Sequence, residues 1–285
     1  MARIKELLDT GRTLSFEFFP PKNDEMERQL EKAVADLAEL QPSFVSVTYG
    51  ALGSSRDRTR DAVIRMNAEQ TFPAMPHLTC VGHTRADIAE LLDEYAAAGI
   101  ENILALGGDP PADGSDPGGD YEHAAELVAQ VRAHPASFSV GVAAHPEIHP
   151  RSPDRASDRQ FLAAKLAEAD FGITQFFFDL DDYLRMVDEL HELGCDQPVI
   201  PSVMPILTVA GIRRMAGMNG SVIPDELLER LLAVEDDADA VRQIGVEVAT
   251  ELASALLAED VPGLHLYALN RSESVREIYA NLGLG

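Results

Sequence analysis

The chain has 285 residues, 46% of them hydrophobic, enough to bury the core of one large α/β domain. Its formal charge is −25, from 23 basic and 48 acidic residues, a field that repels nucleic acid and anionic membrane surfaces and so excludes both as partners. Its two cysteines lack CxxC spacing, which excludes a disulfide framework or zinc site, and no apolar run approaches the about 18 residues of a membrane span.

The opening "MARIKELLDTGRTL" reads as a charged helical start without the apolar centre of a signal peptide, so a reducing cytoplasm is the expected compartment. From there short β-rich runs alternate with longer amphipathic stretches. "TLSFEFF" (13–19) precedes a helical pattern over 24–40, "FVSVTY" (44–49) precedes 57–69, and "PHLTCV" (76–81) precedes 85–98. "NILALG" (102–107) leads into a Gly/Pro loop and then 121–133, and "SFSVGVAA" (137–144) precedes 154–168. "ITQFFF" (173–178) precedes 181–193, and "PVIPSVM" (198–204) precedes 208–217 and an acidic helical stretch over 224–258 that breaks near 235. "LHLYAL" (264–269) precedes 272–282.

Strands joined by crossover helices are parallel, and eight such units in one chain predict a closed (β/α)8 TIM barrel, a single domain over 1–285 with extra helices between strands 7 and 8. An open doubly wound sheet would show a Gly-rich turn after its first strand, where this chain has Pro20-Pro21. Asp24 with Glu27 and Thr84 with Asp87 have capping-box spacing, and Gly99 and Gly194 stand where helices end. The helix faces single out no interface between copies, so the oligomeric state stays open.

Side chains alternate along a strand. One parity gives Ser15, Glu17 and Phe19, Ser46 and Thr48, His77 and Thr79, Gln175 and Phe177, His265 and Tyr267. The other gives Phe16 and Phe18, Val45 and Val47, Leu78 and Cys80, Phe176 and Phe178, Leu264 and Leu266. The apolar set suits helix packing, so the polar set faces the barrel axis, and Glu17 points away from the phenylalanines that flank it. These polar groups fall near strand C-termini, where barrel enzymes do chemistry, with Asp109, His145, His149 and Arg271 just beyond. The spacing of "HPEIHP" (145–150) invites a metal reading, but Pro146 and Pro150 disfavour a zincin helix, so no metal site is expected. Met204, Met215 and Met218 read as core or gap-filling residues. The loop "GGDPPADGSDPGGD" (107–120) reads as a lid.

"SFEFFPPK", "FVSVTYG" with "RDRT", "PHLTC", "GGDPP", "AAHPEIHP", "ITQFFFD" and "LYALNR", in this order across nearly the whole chain, resemble the methylenetetrahydrofolate reductase family. The resemblance implies reduction of 5,10-methylenetetrahydrofolate to 5-methyltetrahydrofolate with NADH or NADPH. Glu17 matches the family's general acid, which protonates N10 and opens the ring, and desolvation is expected to raise its pKa. Asp109 matches the residue that stabilises the resulting iminium, and Gln175 one that hydrogen-bonds the pterin. Tyr267 and Arg271 match positions on the folate or cofactor side. Thr48, His77, Asp158 and Lys165 match positions that hold FAD, with His145 and His149 beside them.

Three positions depart from the family pattern. Gly107 replaces an arginine that supports the flavin phosphates, His145 replaces a tyrosine, and Met215 replaces a phenylalanine. Losing that arginine removes charge-assisted hydrogen bonds, with only Lys165 and Arg151 at hand to replace it. The expectation is hydride transfer directly from the nicotinamide, without flavin. The alternatives are the FAD-mediated ping-pong form and a folate-binding barrel without turnover. A barrel aldolase would need a Schiff-base lysine, and Lys165 falls on a predicted helix.

Overall fold

Each connection runs through a helix and so crosses over rather than turning back as a hairpin, and every strand meets its sequence neighbour in parallel. The computed structural model describes residues 2–49, 56–108, 115–116 and 118–284. Strands β1 (Thr13–Phe18), β2 (Phe44–Val47), β3 (Ala74–Thr79), β4 (Asn102–Leu106), β5 (Ser139–Ala144), β6 (Phe171–Phe176), β7 (Val199–Val203) and β8 (Gly263–Tyr267) close into a parallel barrel in chain order. The chain is a (β/α)8 TIM barrel.

Around it run α2 (Asp24–Ala38), α3 (Arg56–Glu69), α4 (Arg85–Ala97), α5 (Ala124–Ala133), α6 (Arg155–Ala167), α7 (Leu180–Glu192), α10 (Ala238–Ala258) and α11 (Glu273–Asn281). The extra elements are α1 (Ile4–Thr10) before the first strand, and α8 (Val209–Asn219) and α9 (Asp225–Leu232) between β7 and α10. The expected break near 235 is the turn between α9 and α10.

Local chemistry starts and stops these helices. Thr84 and Asp87 form the expected capping box, whereas α2 is capped one residue earlier than expected, by Asn23, whose side chain accepts from Met26 N. Gly99 and Gly194 follow α4 and α7 with positive φ, as left-handed helix ends require. On α2, Leu30, Ala33, Val34 and Leu37 form one buried stripe, each leucine contributing about 2 kcal/mol by leaving water.

The core has two layers, as strand alternation demands. Phe16, Phe18, Val45, Val47, Leu78, Leu264 and Leu266 pack outward under the helices. Inside, Phe44, Met75, Leu104, Phe171, Ile173 and Ile200 fill the lumen toward its N-terminal end, closed by Ile4 of α1. Gly141 makes room in this layer: a Cβ there would lie 2.5 Å from the Phe171 ring. A third cluster, including Phe176, Met204, Ile212, Leu231 and Tyr267, lies under α8 and α9. Met204 is core as expected and Met215 packs against it, but Met218 is 69% exposed at the end of α8.

The parity expectation fails after Gln175. The β6–β7 register shifts between Ile173 and Phe176, a bulge-like irregularity. Phe176 consequently turns inward against Tyr267, and Phe177 turns outward to stack on Tyr183 of α7. The sequence assigned those two phenylalanines the opposite way.

Candidate active site

Strand pairing sets Glu17 level with Ser46 on one side and Tyr267 on the other, at the C-terminal end of the lumen. Glu17 is 6% exposed. Its Oε2 lies 3.3 Å from Nε2 of His265 and 3.4 Å from Nε2 of His77. His265 is fully buried, with its ring parallel to Phe44. Ser15 Oγ lies 2.7 Å from Nδ1 of His265 and 3.2 Å from the Leu264 carbonyl, while Ser46 Oγ lies 3.3 Å from Nε2. The Ser15 hydroxyl has one proton. Given to the Leu264 carbonyl, it leaves Ser15 Oγ to accept from Nδ1–H, so that Nε2 and the Glu17 carboxyl share a proton between them. The His77 contact is poorly aligned, and Nε2 of His77 is a buried nitrogen without a well-formed hydrogen bond.

Burial alone pushes the Glu17 carboxyl up. The charge of His77 and the hydrogen bonds and charge that both imidazoles supply outweigh it, and lower the pKa from 4.5 to about 2. The expected upward shift is corrected for that reason. Burial acts as foreseen, but the polar parity also brings two histidines onto the same carboxyl.

Gln175 meets Tyr267 across the mouth. Its Oε1 accepts from the Tyr267 hydroxyl at 3.1 Å and from Asn219 Nδ2 of α8 at 3.3 Å. Both bonds fall on one oxygen, so the amide's two N–H donors are not taken up by any described residue. Burial, then the nearby Glu17 charge, raises the Tyr267 hydroxyl well above its usual range. Beyond β8, Leu269 and Asn270 take left-handed backbone conformations (φ 52 and 55). The Asn270 side chain accepts from Phe19 N at 2.8 Å and donates to Phe19 O at 2.9 Å, extending the β1–β8 seam by one side-chain rung. Arg271 follows, exposed at the rim. Thr48 is half-buried at the end of β2, its backbone N donating to Phe18 O. Neither residue's side chain makes a hydrogen bond or ion pair to the other site residues.

A second group sits at the ends of β4 and β5. The rings of His145 and His149 meet edge to face, centroids 4.5 Å apart. Lys165 of α6 donates Nζ to the Ala143 carbonyl at 2.7 Å. Burial lowers this amine to about 8, offset in part by Asp158. Burial, then the charges of His149, Lys165, Arg159 and Arg151, lowers His145 to about 3. Asp158 is turned to local work: Oδ1 accepts from His149 N and Ser152 Oγ, and Oδ2 from Arg159. Buried Arg159 in turn holds the carbonyls of His145, Pro146 and Glu147. The loop of α8 closes on this segment through Gly220, whose positive φ and contact with Pro150 both demand glycine: a Cβ would lie 2.9 Å from Cγ.

The structure thus joins Glu17 with His77, Gln175 with Tyr267, and His145, His149, Asp158 and Lys165 around one loop. Asp109 and half of the expected lid lie outside the described residues. Sequence reasoning passed over Asn219 and Asn270, whose roles depend on loops, and ranked His265 as lumen lining only. Among the described residues no three His, Cys, Asp or Glu side chains converge as a metal ion would need, and both cysteines are free. No helix among them is long and apolar enough to cross a membrane.

The family model for methylenetetrahydrofolate reductase matches residues 3–283. The chain belongs to the methylenetetrahydrofolate reductase family. It is 36% identical over 272 residues to 5,10-methylenetetrahydrofolate reductase of Escherichia coli, covering 95% of this chain and 90% of that protein. It is also 36% identical over 298 residues to methylenetetrahydrofolate reductase (NADH) 1 of Arabidopsis thaliana, covering 99% of this chain and 50% of the plant protein. Among solved structures, a Clostridium thermocellum protein that binds two copies of 5-methyl-5,6,7,8-tetrahydrofolic acid superposes with a TM-score of 0.69, at 13% identity, over 99% of this chain and 98% of that one. That likeness is one of fold. In the structure the segments "SFEFF", "PHLTC" and "LYALNR" meet at one barrel mouth.

Proposed function

We propose that this barrel reduces 5,10-methylenetetrahydrofolate to 5-methyltetrahydrofolate at the expense of NADH, the reductant named for its plant relatives. The observation that carries the reading is the buried Glu17 carboxyl, at the catalytic end of β1, flanked by two imidazoles. The substrate's bridging carbon is a poor hydride acceptor while it bonds both N5 and N10. Protonating N10 breaks the C–N10 bond and leaves an N5 iminium, to which hydride adds. Glu17 delivers that proton. Since its carboxyl is ionised in the free barrel, the Glu17–His77–His265 cluster stores the proton as a unit. An imidazolium beside a carboxylate has the same proton count as an imidazole beside a carboxylic acid. Folate covering the mouth strengthens the burial that favours the neutral acid, and the proton moves to the carboxyl where N10 can take it. Gln175 offers its free N–H donors to the pterin, Asp109 supplies negative charge to the iminium, and Tyr267 and Arg271 line the folate side.

The family also implies FAD, which when bound carries hydride between nicotinamide and folate. The residues present fit it. Thr48 has a half-buried hydroxyl with no hydrogen bond to a described residue, and Lys165 a buried amine holding one carbonyl. The case for flavin-free transfer rests on the cation missing at Gly107 and on His145 in place of a tyrosine, and Arg151 answers the first by bringing a cation to the same place. FAD mediation is therefore the reading favoured here. Direct transfer keeps one observation in its support: both Asp158 oxygens are occupied by the protein, leaving less for a flavin.

Folate-dependent oxidation of NADH by the purified protein tests the activity. Glu17→Gln should lower turnover about 10²–10⁴-fold with folate affinity little changed. Wild-type turnover in that variant would refute the assignment, and folate binding without any turnover would favour a binding protein. A yellow preparation with ping-pong kinetics supports the flavin route, and a colourless one with sequential kinetics the direct route.

A further inference from the structure

Gly107 ends β4 without a side chain, yet its backbone does not require glycine, since its φ lies outside the left-handed region. What occupies the space is a guanidinium from another loop. A Cβ built on Gly107 would lie 3.4 Å from Nη2 of Arg151, at ordinary contact distance. Arg151 makes no ion pair with any described residue, in a chain that has 48 acidic residues against 23 basic ones. Its backbone N donates to Nδ1 of His149, which anchors the loop and leaves the side chain free to lie over strand 4.

Lys165 nearby is also short of a counter-ion of its own. Lys165 has the Ala143 carbonyl as its hydrogen-bond partner, and Asp158, the carboxylate that acts on it, is already bonded by Arg159, Ser152 and His149 N. Arg151 and Lys165 both lie close enough to His145 for their charge to oppose its protonation. Surplus positive charge at one sector of the mouth of a protein of net charge −25 calls for a ligand of high negative charge.

We propose that Arg151, reaching across Gly107, and Lys165 form the cradle for the diphosphate of a bound dinucleotide, so that a loop arginine does the work a strand-4 arginine would do. The assignment rests on the reading above that the reaction uses a dinucleotide. FAD and NADH share this chemistry, and the binding arms distinguish them.

The experiment titrates the purified protein, stripped of any bound nucleotide, with FAD, FMN, NADH and NADPH, following ligand fluorescence. Arg151→Ala should weaken the cradled dinucleotide about tenfold or more, the loss of one charge-assisted contact, with FMN changing less because it lacks the diphosphate. A drop confined to FAD assigns the cradle to the flavin, and a drop confined to NADH or NADPH assigns it to the nicotinamide nucleotide. The second variant, Gly107→Arg in the Arg151→Ala background, should recover most of the affinity. Affinities for every dinucleotide within about twofold of wild type in Arg151→Ala would overturn the proposal. So would a folded double variant that recovers nothing. Wild type that binds a dinucleotide through Arg151 but never oxidises NADH with folate would defeat the proposed activity and leave the cradle standing.

Discussion

At Glu17 two effects oppose each other, and the outcome sets the chemistry. Burial favours the neutral acid; two imidazoles favour the anion and prevail, holding the group at about 2. A general acid held that low must recover its proton when substrate binds, so the histidines are part of the acid. His265 is the better placed of the two. It is fully buried and tied at Nδ1 to Ser15, so its ring cannot turn away from the carboxyl. Replacing His265 with Gln keeps a polar group and removes one place where the cluster's proton can rest. The carboxyl must then hold the proton with only His77 beside it, so the alkaline limb of the turnover-against-pH profile should move to lower pH, with folate KM within about threefold of wild type. A profile that stays in place while KM climbs would mean that His265 only shapes the lumen.

At the scale of elements, the seam between β1 and β8 aims Glu17. Asn270 closes it with two hydrogen bonds to Phe19, two residues from the acid, and takes a φ of 55 to do so. Asn270→Gly keeps the backbone conformation accessible and removes only the rung. It should cost about 1–2 kcal/mol in denaturant unfolding and lower turnover more than folate affinity. Unchanged turnover in a destabilised variant would confine the clamp to folding.

The same seam shows what a sequence reveals. Strand alternation placed Ser15, Glu17, Ser46, His77 and His265 in the lumen, because period-2 patterning depends only on neighbouring residues. It failed at Phe176 and Phe177, where the chain changes register against β7, a partner distant in sequence. The helix cap moved from Asp24 to Asn23 because adjacent residues of nearly equal capping strength compete. Asp158 is expected at a ligand, and the structure adds bonds from Arg159, Ser152 and the His149 backbone. Such bonds are settled by loop geometry, which local pattern does not encode. Arg151 over Gly107 is a contact of the same kind.

For the molecule as a whole, the cationic sector at β5 carries a cost in acid. His145 is held down to about 3 from an ordinary 6.5, first by burial and then by His149, Lys165, Arg159 and Arg151. The folded state therefore prefers the neutral ring. Between those two values the unfolded chain binds a proton that the folded one refuses, so stability is full above 6.5 and drains away as pH falls toward 3. Glu17 has the sign usual for a depressed carboxylate. Its contribution is full above 4.5 and drains away as pH falls from there through about 2, so it does not weaken the barrel down to about pH 4.5. The first acid-labile point of the pair is thus the histidine. Urea unfolding compared at pH 7 and at about pH 4.5 should show wild type losing about 2–3 kcal/mol more than His145→Asn, which has no proton to take up. Equal losses in the two proteins would show that the ring takes up its proton in the folded barrel, and that the positive charges around it are offset by groups nearer than those named.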